Sequence, residues 1–270
     1  MPKVNKKVLA LFFLVTFLFV VVGCGGGQQT PTPAPAPETT KLTVASDTAY
    51  APFEMQGGPG EPTYVGFDMD LIRAIGEVLG KEVEIISMGF DGIIPALQSG
   101  SVDCAISAMT ITEERAKVVN FSEAYYESGL ITAVRADNND INGFEDLAGK
   151  KIAVQIGTTG ALKAEEVPDA KITTFNTIDL AFLELKKGAV DAVINDAPVT
   201  LYFIQQGNDD VKVVGGLLTG EFYGIAVPKA KPDLLDEING ALKTLKENGT
   251  FDRIYMDWFG QEPPDTILQF

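Results

Sequence analysis

Ala96-Leu97-Gln98-Ser99-Gly100-Ser101-Val102-Asp103-Cys104-Ala105-Ile106 reads as the end of a helix, a glycine turn and an apolar strand. The chain repeats the pattern as Glu184-Leu185-Lys186-Lys187-Gly188-Ala189-Val190-Asp191-Ala192-Val193-Ile194. Upstream of the first copy, Leu42–Ala45 reads as a strand ending at Ser46-Asp47. Leu71, Ile72, Ile75, Val78 and Leu79 fall at helical spacing before a glycine stop at Gly80, and Val83–Ile86 is a strand. Residues 92–99 look helical, and 102–106 is a strand again. Alternation of this kind implies an α/β protein with helices on both faces of its sheets. Gly80-Lys81-Glu82-Val83 is echoed in turn by Gly149-Lys150-Lys151-Ile152, each a helix stop leading into a strand. Short turns of this composition also recur by chance, but the paired context favours two similar α/β units. Ser46-Asp47 and Gln155-Ile156-Gly157 would both follow a strand, and ligands of open α/β sheets bind beyond the carboxyl ends of strands. Two such units facing each other would make a cleft.

The first copy runs directly into Ser107-Ala108-Met109-Thr110-Ile111-Thr112-Glu113-Glu114-Arg115. Thr112 is a candidate N-cap, and the acidic pair after it suits the positive end of a helix. Hydroxyls, backbone N–H groups and the Arg115 guanidinium would then meet at one spot, a socket for a carboxylate. The alternative is a capped surface helix whose Arg115 pairs with Glu113 or Glu114.

The chain opens with Lys3, Lys6 and Lys7, an apolar run of 15 residues from Val8 to Val22, and Gly23-Cys24. This is the layout of a signal peptide over 1–23, shorter than the ~20 apolar residues of a spanning helix. Cys24 stands where the lipidated cysteine of a bacterial lipobox would stand; a plain signal peptide or short anchor is the alternative. Residues 24–40, with three glycines and then proline alternating with Thr or Ala, read as an extended tether holding a folded module off a membrane surface. Residues 41–270 suffice for one large or two small domains. Removal of the leader would take three lysines and no acids, moving the formal charge from −16 to −19. That argues against nucleic acid or an anionic membrane surface as partner. Cys104 is the one cysteine beyond Cys24 and reads as a small buried residue. The absence of histidine excludes a histidine triad, histidine-ligated zinc and an imidazole switch.

Several further stretches carry a resemblance: 47–54 (Asp-Thr-Ala-Tyr-Ala-Pro-Phe-Glu), 65–71 (Val-Gly-Phe-Asp-Met-Asp-Leu) and 90–97 (Phe-Asp-Gly-Ile-Ile-Pro-Ala-Leu). Met109–Arg115, Phe121-Ser122, the Gln-Ile-Gly-Thr-Thr-Gly of 155–160 and the Ile-Tyr-Met-Asp-Trp-Phe-Gly of 254–260 complete the set. In this order, across residues 41–262, the chain resembles the extracytoplasmic solute-binding proteins of polar amino-acid ABC transporters, family 3. The glutamine-binding and the lysine/arginine/ornithine- and arginine-binding members are the most similar.

The resemblance implies a two-lobed, periplasmic-binding-protein-like fold of type II, with two hinge crossings and a ligand cleft between lobes. Lobe 1 would comprise 41–125 and 225–262, lobe 2 130–220, with 263–270 as a C-terminal tail. The crossings would lie at 125–129 and 221–224, where Gly129 and Gly224 fit positions that absorb rotation. It further implies that Arg115 holds a ligand carboxylate, with Ser107, Thr110 and the backbone of Ala108 on the same edge. Thr158 and Thr159 would offer N–H groups from lobe 2, and Asp196 would accept the ligand ammonium. On their own, Thr158-Thr159 also reads as an N-cap and Asp196 as a turn residue before proline. A pair of charges at about 4 Å gains roughly 4 kcal/mol at an effective dielectric of 20, before desolvation, so two pairs at fixed separation would select an α-amino acid.

Tyr50 and Phe90 match aromatics that sandwich the ligand side chain, where a cation gains cation–π attraction; core packing is the alternative for both. Asp47 matches a pocket aspartate. The glutamine binders similar to this chain carry lysine where Gln155 stands and histidine where Asn195 stands. Two neutral residues there remove positive charge while Asp47 remains, which favours Arg or Lys over Gln. The resemblance therefore implies a lipid-anchored, monomeric, non-enzymatic receptor on the outer or periplasmic side of the cell membrane. It would deliver a basic L-amino acid to an ABC permease and need no cofactor or metal. Glutamine is the alternative ligand. A dehydratase on the same scaffold would need a general acid in the cleft, and of the candidates Asp47, Glu54 and Asp196, two would by the resemblance serve as ligand anchors. A sensory ectodomain would need a spanning helix that residues 263–270 do not provide.

Overall fold

A computed structural model describes residues 40–270. The leader, Cys24 and the tether up to residue 39 lie outside the described residues.

The described chain forms two five-stranded sheets, one in each lobe. In spatial order the first contains Glu82–Ser87, Lys41–Ser46, Cys104–Ala105, Ala226–Pro228 and Val119–Phe121; the second contains Lys171–Phe175, Lys151–Gln155, Ala192–Asp196, Leu130–Arg135 and Val211–Val214. Each has three parallel strands followed by two strands that reverse the sense at each step. Helices such as Phe67–Leu79 and Ile178–Lys186 supply the crossovers, and the sheets are mixed α/β as the alternation predicts.

The repeated stretch occupies the same place in both sheets, just before the third strand. Gly100 and Gly188 both turn left-handed, at φ 73° and 74°. Each aspartate then ties its strand to the second strand of its sheet in spatial order. Asp103 Oδ2 accepts the Thr43 N–H at 2.8 Å and Asp191 Oδ2 accepts the Lys151 N–H at 2.8 Å. The backbone N–H of each aspartate returns a bond to the carbonyl of that same residue. A short carboxylate directly after the turn is thus a strand lock, which chance recurrence would not reproduce. The second echo is different: Gly149 follows the 3₁₀ turn Phe144–Leu147, and Lys151–Gln155 is an inner strand of its sheet whereas Glu82–Ser87 is an edge strand. The predicted strand 102–106 pairs only at Cys104–Ala105, because the chain turns into the loop at Ser107. Cys104 is buried, and burial raises its thiol to about 12, so it is an inert packing residue.

Two segments join the lobes and pair with each other as an antiparallel ribbon, Tyr126–Ser128 with Glu221–Tyr223. They rest on an aromatic cluster: Tyr126 stacks on Tyr223 at 5.5 Å between centroids, and Phe53 meets Tyr126 edge-on at 4.8 Å. The glycines flanking the ribbon are needed for close approach. A Cβ on Gly129 would lie 2.0 Å from the Thr219 carbonyl oxygen, and one on Gly224 would lie 2.9 Å from the Ile111 side chain. Residues 263–270 do not hang free: Ile267 and Leu268 are buried, and the Leu268 N–H donates to the Ala124 carbonyl at 2.8 Å beside the first connecting segment. Among the described residues no helix is long and apolar enough to cross a membrane.

Candidate functional site

The site is assembled where the two sheets present the carboxyl ends of their strands to each other. The first strand of lobe 1 ends at Ser46, and Asp47 follows. The equivalent strand of lobe 2 ends at Gln155. The two side chains meet, Gln155 Nε2 donating to Asp47 Oδ2 at 2.5 Å. The third strands supply Ser107-Ala108, shortly after Cys104–Ala105, and Asp196, the last residue of its strand. Tyr50 crosses to lobe 2, its hydroxyl donating to Asn195 Oδ1 at 2.9 Å. These contacts close the lobes over a small, tightly enclosed cavity. All eleven residues singled out from the sequence line it: Asp47, Tyr50, Phe90, Ser107, Ala108, Thr110, Arg115, Gln155, Thr158, Thr159 and Asp196. The twelfth lining residue is Glu54.

Arg115 forms no ion pair among the described residues; Glu114 is engaged by Lys117 instead. Thr112 caps its helix, accepting the Arg115 N–H at 3.2 Å, but the helix is only the six residues Glu113–Val118. A single turn and a half has little macrodipole, so the guanidinium itself carries the attraction for an anion. Its Nη1 donates to the Thr110 carbonyl at 2.7 Å and its Nη2 crosses to the Gly157 carbonyl of lobe 2 at 3.0 Å, with the Phe90 ring 5.1 Å from Cζ. Burial lowers its pKa, opposed by Asp196 and Glu221, and an arginine remains charged throughout.

Two expected contacts are already occupied by protein. The Ser107 hydroxyl, fully buried, accepts the Asp47 N–H at 2.9 Å and donates to Glu54 Oε1 at 3.0 Å. The Ala108 N–H donates to Asp68 Oδ2 at 2.8 Å, so only its carbonyl remains for the cavity. Thr158 is the N-cap of Thr159–Glu165, its Oγ1 accepting the Ala161 N–H at 3.2 Å while donating to the Gln155 carbonyl at 2.8 Å. Thr110 and Thr159 both donate to Glu221 Oε2, at 2.9 and 3.1 Å. Glu221 and Tyr223, which donates to Asp196 Oδ2 at 2.5 Å, are site-forming residues that sequence reasoning placed only in a crossing. The available signal was an acid and a tyrosine standing in an otherwise small and apolar connecting segment.

Burial dominates the electrostatics. It raises Asp196 to about 7, helped by the Glu221 charge and opposed by hydrogen bonds from Tyr223 and Tyr50 and by Arg115. It raises Asp47 to about 6, with the Asp179 and Asp91 charges adding and the Gln155 bond subtracting. Glu54 is pushed well above the usual carboxylate range by burial and by the Asp68 carboxyl. The cavity therefore presents one guanidinium and, on its other walls, carboxyl groups that lack a cationic partner among the described residues, an arrangement able to hold a molecule bearing both charges.

Two lobes joined by a paired double crossing, with a small polar cavity at their facing strand ends, define a cleft-type ligand-binding protein. Residues 42–261 match the family described as bacterial extracellular solute-binding proteins, family 3, and the chain belongs to it. It is 34% identical over 226 residues to ABC transporter arginine-binding protein 1 of Escherichia coli K12, covering 82% of this chain and 91% of that one. It is 35% identical over 212 residues to the ABC transporter glutamine-binding protein GlnH of Bacillus subtilis 168, covering 77% of each. Among solved structures, an ancestral arginine-binding protein bound to arginine, and also solved bound to glutamine, superposes with a TM-score of 0.78. That protein is 46% identical, with 82% of this chain and 98% of the other covered.

Proposed function

We propose that the protein is the ligand-capturing component of an ABC amino-acid importer and that its ligand is a basic L-amino acid, arginine or lysine. Arg115 holds the α-carboxylate, Asp196 the α-ammonium, and Asp47 the cationic head group, with Tyr50 and Phe90 on either side of the chain between them. The observation that carries this reading is the charge balance of the cavity. After one guanidinium and one carboxylate are matched to an amino-acid backbone, Asp47 is left at the Gln155 end with no cation beside it, and Asp91 and Asp179 add negative potential there. A neutral glutamine would leave that potential unanswered. The names of the relatives span both arginine and glutamine, which makes glutamine the second reading. Isothermal calorimetry should give tight binding of L-Arg or L-Lys, weaker binding of L-Gln and none of L-Glu. Tight L-Glu binding with no response to L-Arg would refute the charge argument.

The relatives are transport proteins, and no step of chemistry is needed here: Asp47 and Asp196 act as anchors, and the Glu54 carboxyl is engaged by Ser107 and Asp68. Lobe opening and closing about the Tyr126–Ser128 and Glu221–Tyr223 ribbon would admit and enclose the ligand before delivery to the permease. Cys24, by its position after the leader, would carry a lipid that keeps the chain at the outer face of the membrane. Cys24→Ser should move the protein from the membrane to the soluble fraction and abolish incorporation of labelled fatty acid. Continued membrane association of that variant would count against the anchor.

A further inference from the structure

Beneath the cavity two carboxyl side chains face each other. Glu54, at the end of the loop that carries Tyr50, and Asp68, in the first turn of Phe67–Leu79, are each 0% exposed. One oxygen of each is engaged. Glu54 Oε1 accepts from Ser107 Oγ at 3.0 Å, while Asp68 Oδ2 accepts the Ala108 N–H at 2.8 Å and the Tyr125 hydroxyl at 2.9 Å. The remaining oxygens, Glu54 Oε2 and Asp68 Oδ1, are sealed from solvent and meet no donor. The two carboxyl groups do lie within hydrogen-bonding reach of each other.

Two ionised carboxylates could not stay so placed. The titratable groups around the pair are Asp47, which acts on Glu54, Tyr50, and Tyr125, with neither lysine nor arginine among them. Like charges in a dry site force one of the two to keep its proton. A single proton also satisfies both orphaned oxygens at once, one as donor and one as acceptor, with the added strength of a charge-assisted bond. We propose that Glu54 and Asp68 share one proton, carried on Glu54 Oε2 and donated to Asp68 Oδ1, and that the pair is the positioning element for the Ser107-Ala108 edge of the binding site. Asp68 is the better anion because it already accepts two other hydrogen bonds and sits in the first turn of a helix, where negative charge is favoured.

The turn needs such a brace. Ala108 has φ 42°, a left-handed conformation that a residue with a Cβ adopts at a cost. Asp68 holds its N–H in that conformation, and Glu54 holds the neighbouring hydroxyl that in turn receives the Asp47 N–H. Through these bonds the shared proton sets both the lobe 1 backbone at the proposed carboxylate site and the start of the Asp47 segment. Burial acts in the same direction, raising both groups above the ordinary carboxylate range.

The role assigned to the turn rests on the proposed function, so the test has one arm that uses no ligand. In the full chain at about pH 8.5, above the values of about 7 for Asp196 and about 6 for Asp47, the infrared spectrum should retain a protonated-carboxyl band. That band should shift on ¹³C labelling of glutamate and vanish in Glu54→Gln. The second arm measures L-arginine affinity with thermal unfolding alongside. Glu54→Leu should weaken binding about tenfold or more, since it orphans Asp68 Oδ1 and the Ser107 hydroxyl. Glu54→Gln should recover it to within about threefold, because its amide can donate to Asp68 while its carbonyl accepts from Ser107. Absence of the band, or equal damage from Glu54→Gln and Glu54→Leu, would overturn the shared proton. A band without L-arginine binding would sustain the pair and count against the ligand reading.

Discussion

Arg115→Ala should abolish amino-acid binding while leaving the unfolding temperature of the ligand-free protein within a few degrees of its original value. Removing one partner of a buried, hydrogen-bonded charge pair costs about 2–5 kcal/mol, equivalent to a loss of roughly 30- to several-thousand-fold in affinity. The loss falls at the upper end because the ligand carboxylate would then be desolvated against Phe90 with no cation to receive it. The fold depends on Arg115 far less. Its hydrogen bonds go to two carbonyls, Thr110 and Gly157, which retain other acceptor geometry in water, and it anchors no carboxylate of the protein. Calorimetry and thermal unfolding of the same preparation decide the matter. A collapse of stability that tracks the loss of binding would make Arg115 a structural residue. Arg115→Lys should recover only part of the affinity, since a point charge cannot reproduce the two-pronged grip of a guanidinium.

Arginine affinity should fall on the order of 10³-fold between pH 8 and pH 5, and glutamine affinity only about 10²-fold. The sign follows from which form the ligand needs. Both ligands place an ammonium on Asp196, which must be ionised, and its pKa in the free protein is raised to about 7 by burial. Each pH unit below that value leaves a tenfold smaller ionised fraction, so binding weakens as pH falls and displaces protons when it occurs. A cationic head group asks the same of Asp47, raised to about 6. A glutamine amide can be accepted by Asp47 in either form. Titrations in buffers of different ionisation enthalpy would count the displaced protons directly. Flat arginine affinity across this range would mean that Asp196 and Asp47 do not face the ligand's cationic groups.

The two crossings are informative in the opposite sense from a simple hinge. Gly129 and Gly224 fit rotation points by position, but a Cβ on Gly129 would collide with backbone and one on Gly224 would press on the Ile111 side chain. Stiffness at those points comes from packing around the aromatic ribbon, and freedom to rotate is a separate property that glycine need not supply.

Much of the architecture was legible in the sequence because it is local. Helix periodicity, glycine stops and the strand lock made by Asp103 and Asp191 depend on residues within a few positions of each other plus one neighbouring strand, so the repeated stretch announces two sheets of the same design. The edges of the site were legible for the same reason: Asp47, Ser107, Gln155 and Asp196 each stand at or just beyond the end of a strand. Tertiary structure decided what those positions are free to do. Ser107 and the Ala108 N–H look like ligand contacts along the chain, yet each is consumed by a partner brought in from elsewhere in the fold. Glu54 and Asp68 look like two separate acids, 14 residues apart in number, and only folding seals their carboxyls together away from water. The physical reason is that hydrogen-bond satisfaction and desolvation are set by three-dimensional neighbours, which spacing along a chain does not encode.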